Sequence, residues 1–383
     1  MLRKPIPFPL CHLLTLRELR TKSSNRYPLR NGDDDERKIL SQNENQEDRV
    51  YFHKSKGQHI LTNQRILDTI VRKSNVNPND TVLEIGPGTG NLTLKLLEVS
   101  KKVFAIEIDK RMADILNKRV AERGFQDKLS VIWKDALKAE FPRFDLVVAN
   151  IPYGISSPLV AKLVFGKNQF RSATLLLQKE FARRLLANPG GSEFNRLAVN
   201  VKLLADVEFV MDVSRRDFVP CPKVDSSVVI IRPKAEIPEV NLDEWLAFTR
   251  TCFGTKNKTL GAIFKKKKKV IELLRLSKKM GPNSENVEIG DRCGCSEDED
   301  DKRESEGEDL YSSSSSELEV SLFKEKIIEV LKSGRFEDKR PSRLSHEVLL
   351  QLLSSFNQAG IFFRDQTEQN HACNVEFFAS ANS

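Results

Sequence analysis

The chain has 383 residues, 39% of them hydrophobic, and a formal net charge of +8, which excludes a chain disordered throughout and leaves room for two domains plus tails. The charge is uneven: residues 285–309 hold twelve acidic and three basic residues, so the remainder carries +17. A basic surface attracts RNA, DNA and anionic lipid alike, so charge alone selects no partner.

In chain order, the first thirty residues hold seven basic side chains (Arg3, Lys4, Arg17, Arg20, Lys22, Arg26, Arg30) against Glu18 alone. Such an Arg-rich, acid-poor start reads as a mitochondrial presequence over residues 1–30. The prolines at 5, 7 and 9 oppose a helix at the extreme start, and the competing reading is a basic tail that touches RNA or serves as a nucleolar address. Residues 31–50, with Asp33-Asp34-Asp35-Glu36, read as an acidic linker.

From residue 51 short β-branched runs alternate with helical stretches. Strands are expected at 81–85, 103–106, 129–132, 146–148 and 174–177, with helices at 91–100 and 110–122. That alternation predicts a parallel, doubly wound α/β sheet. The runs at 207–211 and 227–231 follow with no helix between them, which predicts an antiparallel hairpin at the sheet edge. Beyond residue 241 the pattern becomes helical (242–253, 258–277, 318–333, 344–357), broken by an acidic and serine-rich stretch at 283–317 that reads as a disordered insertion.

The domain expectation is therefore 51–235 as an α/β domain and 241–383 as a smaller all-helical one. The six cysteines are scattered and form no disulfide framework, which points to a reducing compartment. Cys293 and Cys295 lack a second Cys or His pair at zinc spacing, so no metal is expected. No apolar run reaches the length of a membrane span, and no membrane partner is expected.

Three stretches carry chemistry. "Glu84-Ile85-Gly86-Pro87-Gly88-Thr89-Gly90" sits between the first strand and the first helix, where glycine lets the backbone turn sharply and a ligand approach closely. The next strand ends in Glu107, and an acid there can accept both hydroxyls of an adenosine ribose. Asp135, after the third strand, can accept from an adenine amino group. A nicotinamide dinucleotide fits part of this, but no G-x-G-x-x-G is present; acids after two strands plus the G-x-G turn are the pattern of S-adenosylmethionine-dependent methyltransferases. "Asn150-Ile151-Pro152-Tyr153" follows the fourth strand, at the strand end where open α/β sheets bind ligands. The lone pair of adenine's exocyclic amine is delocalised into the ring. Two acceptors aimed at its hydrogens, the Asn150 side-chain oxygen and the Ile151 carbonyl, would draw it toward tetrahedral geometry and stabilise the positive charge that develops.

This corner resembles the N-x-P-Y signature of amino-directed methyltransferases, and the wider chain resembles the rRNA adenine dimethyltransferase family, the KsgA-like enzymes. Lys56-Gly57-Gln58-His59-Ile60-Leu61 is similar to the family's cofactor clamp, and Phe218-Val219-Pro220-Cys221-Pro222-Lys223-Val224-Asp225-Ser226 to its F-x-P-x-P-K-V-D-S loop. Lys256 to Leu260 resembles the entry to its helical domain, and Phe356 to Ile361 the tail of its eukaryotic form; the likeness covers roughly residues 51–277 and 335–363.

The resemblance implies a Rossmann-like class I methyltransferase sheet, S-adenosylmethionine bound by His59, Leu61, Gly86, Glu107, Asp135 and Asn150, and a target adenine held by Asn150 and Tyr153 with Phe218 closing its second face. Base extrusion between rings suits an enzyme that reaches an atom inside folded RNA. The competing reading of Phe218 is a core phenylalanine. The resemblance implies as substrate two adjacent adenosines in the hairpin loop near the 3′ end of small-subunit rRNA, each dimethylated; the presequence reading makes the enzyme mitochondrial, with a nucleolar or cytoplasmic member as the alternative, and a monomer acting within a pre-ribosomal particle is expected. Relatives that serve as organellar transcription or assembly factors give a second class, a binding protein in which methylation is secondary. The chain departs from the family pattern at Ile151, where Leu is frequent, and at Gly154, which replaces a larger polar residue. The Lys265 to Lys269 run reads equally as a phosphate grip or as a solvated helix face.

Overall fold

The computed structural model describes residues 58–279 and 314–364. A two-residue strand, β1 (Ile60–Leu61), leads into helix α1 (Gln64–Ser74). Strands and helices then alternate through β2 (Thr81–Ile85), α2 (Asn91–Val99), β3 (Lys102–Glu107), α3 (Lys110–Glu122) and β4 (Leu129–Trp133). The series continues with β5 (Leu146–Asn150), α4 (Ser156–Phe165), β6 (Ser172–Gln178) and α5 (Lys179–Leu186). Helix α6 (Arg196–Leu204) runs directly into β7 (Ala205–Val213), which is followed by β8 (Phe218–Val219) and β9 (Ser226–Pro233). The last helices are α7 (Leu242–Phe253), α8 (Leu260–Phe264), α9 (Lys267–Lys279), α10 (Ser314–Ser333) and α11 (His346–Gln358).

Seven strands form one sheet in the order β4-β3-β2-β5-β6-β9-β7. The first five in that order are parallel, and β9 and β7 close the edge antiparallel, as the missing helix between them predicts. Strand order reverses between β2 and β5, so the chain leaves these two neighbours toward opposite faces and opens a crevice at their carboxyl ends. Strands buried on both faces read as near-continuous apolar runs, and β6 (Ser172–Gln178) is buried at every position but its last.

Helix starts are written into the sequence as short polar caps. Asn63, Asp109 and Asn195 each accept a backbone N–H from the first turn of α1, α3 and α6. Asn241, Thr259 and Ser345 do the same for α7, α8 and α11. The sheet carries one apolar cluster on each face, and the late helices carry a third around the fully buried Trp245, Phe248, Phe264 and Phe356. Phe363 packs against Phe248, Phe264 and Phe356 with ring centroids 5.0, 6.0 and 5.4 Å apart, edge to face. Helix α6 joins the layers: Leu197 and Val201 face the sheet, while Ala198, Val199, Leu203 and Leu204 face the late helices.

Two expectations change. The stretch 258–277 is not one helix: α8 ends at Phe264 and α9 begins at Lys267, so the break falls inside the five-lysine run, where neighbouring like charges disfavour a continuous helix. The segment 337–339 also docks on the start of α8, with Glu337 and Lys339 carbonyls accepting from the Gly261 and Leu260 N–H groups at 2.8 Å each. Helix α10 begins at Ser314, inside the stretch expected to be an insertion. Residues 1–50, Cys293, Cys295 and the rest of that stretch up to 313 lie outside the described residues.

Strand β2 carries an acid into the core. Glu84 is 1% exposed, and its Oε2 has no hydrogen-bond partner. Burial pushes its carboxyl up to about 8; the Thr93 hydroxyl, close but outside hydrogen-bond geometry, offsets part of this, and the charge of Glu107 adds to it. Between the unfolded value near 4.5 and the folded value near 8, the folded state holds a proton that the unfolded state has released. Stability of the ligand-free protein therefore falls as pH rises through this window. In urea unfolding, the stability of Glu84→Gln relative to the parent chain should shift in the variant's favour by up to about 1.4 kcal/mol per pH unit between pH 5 and 8; a difference independent of pH would contradict an uncharged Glu84.

Candidate active site

A cavity of about 330 Å³ opens at the carboxyl ends of β2, β3, β4 and β5. Its floor is the turn after β2. Gly86 and Gly88 take left-handed φ angles of +68° and +56°, and a Cβ on Gly88 would stand 2.6 Å from Ile60 Cδ1. The turn is thus closed to side chains by its own backbone and by the strap that crosses it.

Glu107 sits at the end of β3 with Oε2 accepting from the Gly88 N–H (3.2 Å) and Oε1 from the Asp109 N–H (2.9 Å). Burial raises its carboxyl above the ordinary range while those N–H groups pull it down. A carboxylate has roughly four lone-pair positions, so both oxygens keep capacity for ribose hydroxyls. Asp109, two residues on, has another task. It caps α3 and pairs with Arg111 at 2.7 Å, which holds its carboxyl far below the usual range. Asp135 accepts the Leu137 N–H on Oδ1 at 2.9 Å and lines the cavity with its neighbours Ala136 and Leu137.

The segment 58–63 forms the strap. Strand β1 pairs antiparallel with β8, Ile60 opposite Val219 and Leu61 opposite Phe218. Gln58 Nε2 donates to Asp109 Oδ2 at 2.9 Å, Asn91 Nδ2 to the Leu61 carbonyl at 3.0 Å, and Thr62 Oγ1 to the Asp217 carbonyl at 3.0 Å. His59 Nδ1 lies 2.8 Å from the Pro220 carbonyl. Since a carbonyl only accepts, Nδ1 is the protonated nitrogen of that ring.

Asn150 ends β5, and its Nδ2 donates to the His59 carbonyl at 3.1 Å. The donor end of the amide is thereby committed to the strap and its Oδ1 is left as an acceptor facing the cavity that Asn150 lines. Pro152 follows, and Tyr153 opens a short 3-10 turn (Tyr153–Ile155). The Tyr153 hydroxyl lies 2.7 Å from Ser226 Oγ, and its ring stands near-parallel to His59, centroids 6.0 Å apart. Burial raises the phenol, so it stays neutral. A Cβ built on Gly154 meets nothing within 4 Å, so the space beside the corner is open.

Of the residues singled out from sequence, His59, Leu61, Gly86, Glu107, Asp135, Asn150 and Tyr153 all line this one cavity. Phe218 does not. It is 2% exposed and packs in the core cluster with Leu61, Leu67 and Val213, one strand behind the cavity wall. Gln58, Glu84 and Asn91 also line the cavity and were not singled out as site residues. Glu84 stood in the glycine-turn motif, but only its burial marks it as a cavity wall; Gln58 and Asn91 act through backbone and cap contacts that leave no mark in the spacing. The site fits a cationic adenosine cofactor. It offers an acid at the ribose position, a second acid near the base position, and a buried, unpartnered Glu84 oxygen on the wall.

A family model for ribosomal RNA adenine dimethylase matches residues 49–292. The chain is 63% identical over 332 residues to a mitochondrial ribosomal RNA small subunit methyltransferase of Arabidopsis thaliana, covering 87% of this chain and 86% of that one. It is 42% identical to a probable dimethyladenosine transferase of Drosophila melanogaster, covering 86% and 98%. The crystal structure of a dimethyladenosine transferase from Plasmodium falciparum superposes with a TM-score of 0.67 at 39% identity, covering 80% of this chain and all of that one. With a family match over most of the chain and the glycine turn, Glu107 and the Asn150 corner gathered on one cavity, the chain belongs to the ribosomal RNA adenine dimethylase family, enzymes that take their methyl group from S-adenosylmethionine.

Proposed function

We propose that this enzyme dimethylates the exocyclic amines of two adjacent adenosines in the 3′-terminal hairpin loop of mitochondrial small-subunit rRNA, acting as a monomer on a pre-ribosomal particle. The observation that carries the reading is the Asn150 amide, its donor end held by the His59 carbonyl and its acceptor end free at the cavity. In this reading Asn150 Oδ1 and the Ile151 carbonyl accept the two amine hydrogens and turn the nitrogen lone pair out of the ring plane. Both acceptors gain strength as positive charge develops on nitrogen, so they favour the transition state over the ground state.

S-adenosylmethionine supplies an electrophilic methyl on a sulfonium. Glu107 would accept its ribose hydroxyls and Asp135 its adenine amino group, while the turn Gly86–Gly88, His59 and Leu61 would line the rest of its site. Tyr153 stacks on the target base, its hydroxyl pinned by Ser226. The methylated nitrogen is a strong acid and releases its proton to water, so no side-chain base is required. A second transfer needs room for an amine that already carries a methyl; Gly154 is exposed and adds no side chain beside the corner.

Phe218, buried behind the wall, reaches the base only if the β8 segment moves; Tyr153 and His59 are the rings already at the cavity. The mitochondrial assignment rests on the Arg-rich, acid-poor first thirty residues and on the relative named as mitochondrial. We assign 51–235 to the catalytic domain and 241–383 to a helical RNA-binding domain.

Recombinant full-length protein with S-adenosylmethionine and unmethylated small-subunit rRNA should yield dimethyladenosine at two adjacent positions, read by mass spectrometry of nuclease fragments; modification of a different RNA region would refute the substrate assignment. Asn150→Ala should lower the turnover rate at saturating S-adenosylmethionine by ~10²- to 10³-fold, the effect of losing one oriented polar group in such a site, and should also weaken binding of S-adenosylhomocysteine, read by calorimetry, because the strap loses its bond to Asn150. Full restoration of ribosome assembly by Asn150→Ala would mean that binding, not methylation, is the essential role. Residues 1–50 fused to a fluorescent protein should direct it to mitochondria, and nucleolar signal would support the other compartment.

A further inference from the structure

Lys162 lies on α4, on no motif of the family pattern described above, yet its ammonium is saturated by a single loop. Nζ donates to the carbonyls of Ala136 (2.8 Å), Leu137 (2.9 Å) and Ala139 (2.6 Å), three protons to three acceptors. The ring of Phe141 covers it, with the centroid 4.3 Å from Nζ. These carbonyls belong to one helical turn. Lys138 and Ala139 donate their N–H groups to the Asp135 carbonyl at 3.0 and 2.8 Å, and the Asp135 side chain caps the turn's start through Leu137 N–H. A single turn leaves its last carbonyls without partners, and a cation there satisfies them and complements their aligned dipoles.

We propose that Lys162 is a positioning residue for cofactor recognition: by capping the carbonyl end of the 135–139 turn it fixes the Asp135 carboxylate where it meets the adenine amino group. The inference rests on the reading above that Asp135 binds the cofactor's base. Asp135, Ala136 and Leu137 line the cavity, so two of the three capped residues are themselves cavity wall, and a shift of the turn moves the wall and the acid together. Burial lowers the Lys162 ammonium and the Lys134 charge lowers it further, while the Asp135 carboxylate raises it. An apolar residue of similar length would leave three carbonyls facing it unpaired, and the turn would have to reorganise to hydrate them.

The test is calorimetric affinity for S-adenosylhomocysteine and for its hypoxanthine counterpart, which carries an oxo group where adenine carries the amine. Parent protein should prefer the adenine ligand by tenfold or more. Lys162→Met should weaken the adenine ligand by at least tenfold and bring the preference toward one, with Lys162→Arg intermediate and the turnover rate at saturating S-adenosylmethionine within about threefold of the parent. Asp135→Ala should lower the preference similarly, and the double variant should lose no more than the worse single one. If Lys162→Met and Lys162→Arg lower the melting temperature but keep the preference, Lys162 is only a structural lysine and the inference falls while the reading of Asp135 stands. If Asp135→Ala keeps the preference, the placement of the adenine at Asp135 fails first, and the role of Lys162 fails with it.

Discussion

An amide side chain has a donor end and an acceptor end, and at Asn150 the donor end is spent on the His59 carbonyl. The orientation of the Asn150 amide therefore depends on a strap that lies 91 residues earlier in the chain. The strap is itself held by the β1–β8 pair, by Gln58 on Asp109 and by Asn91 on the Leu61 carbonyl. Asn91 takes a hydrogen bond from Arg119 at 3.0 Å, and Arg119 also donates to the Thr89 carbonyl, which ties the strap to the glycine turn. Glycine turn, strap and Asn150 are one hydrogen-bonded circuit. Preorganised dipoles of this kind need no rearrangement when charge develops on the substrate.

The fold supplies the rigidity behind that circuit. Asn150 projects from the carboxyl end of a parallel strand, and Asn91 and Asp109 from helix starts next to one, where the crevice of an open α/β sheet lies; Arg119 reaches in from the last turn of α3. Helix α6 locks the sheet to the late helices through apolar residues on both sides, with Asn200 buried between them. The acid Glu84 is the costly feature of this arrangement. It is buried without a partner for one oxygen, a cost that a bound cation would offset by favouring the ionised form.

Much of this was legible in the sequence because it is local. The glycine turn, Glu107 at a strand end and Asn150-Ile151-Pro152-Tyr153 announce themselves by spacing, and the alternation of strands and helices gives the sheet. The strap was legible only through the likeness of Lys56 to Leu61 to the family's clamp, and its contacts and the lysine cap were not legible, because most of their partners are backbone carbonyls. His59 and Pro220 are 161 residues apart, and a carbonyl has no identity in sequence. Strands of two residues are also too short to show a period, so β1 and β8 escaped notice. Phe218 was open between base contact and core because a loop motif describes the backbone and not the direction of the ring; it is packed in the core. The break between α8 and α9 reflects charge crowding in the lysine run, which hydrophobic periodicity does not register.

Dimethylation at the exocyclic amine removes both of its hydrogens, including the one used in Watson–Crick pairing, so a reverse transcriptase stops at such a base. The central claim is therefore tested most directly by primer extension across the 3′ hairpin of mitochondrial and cytosolic small-subunit rRNA in cells without the protein, complemented by the parent chain or by Asn150→Ala. The account predicts that the stop disappears from mitochondrial rRNA alone, returns with the parent chain and does not return with the variant. A mitochondrial stop that persists without the protein, or that Asn150→Ala restores in full, would contradict it.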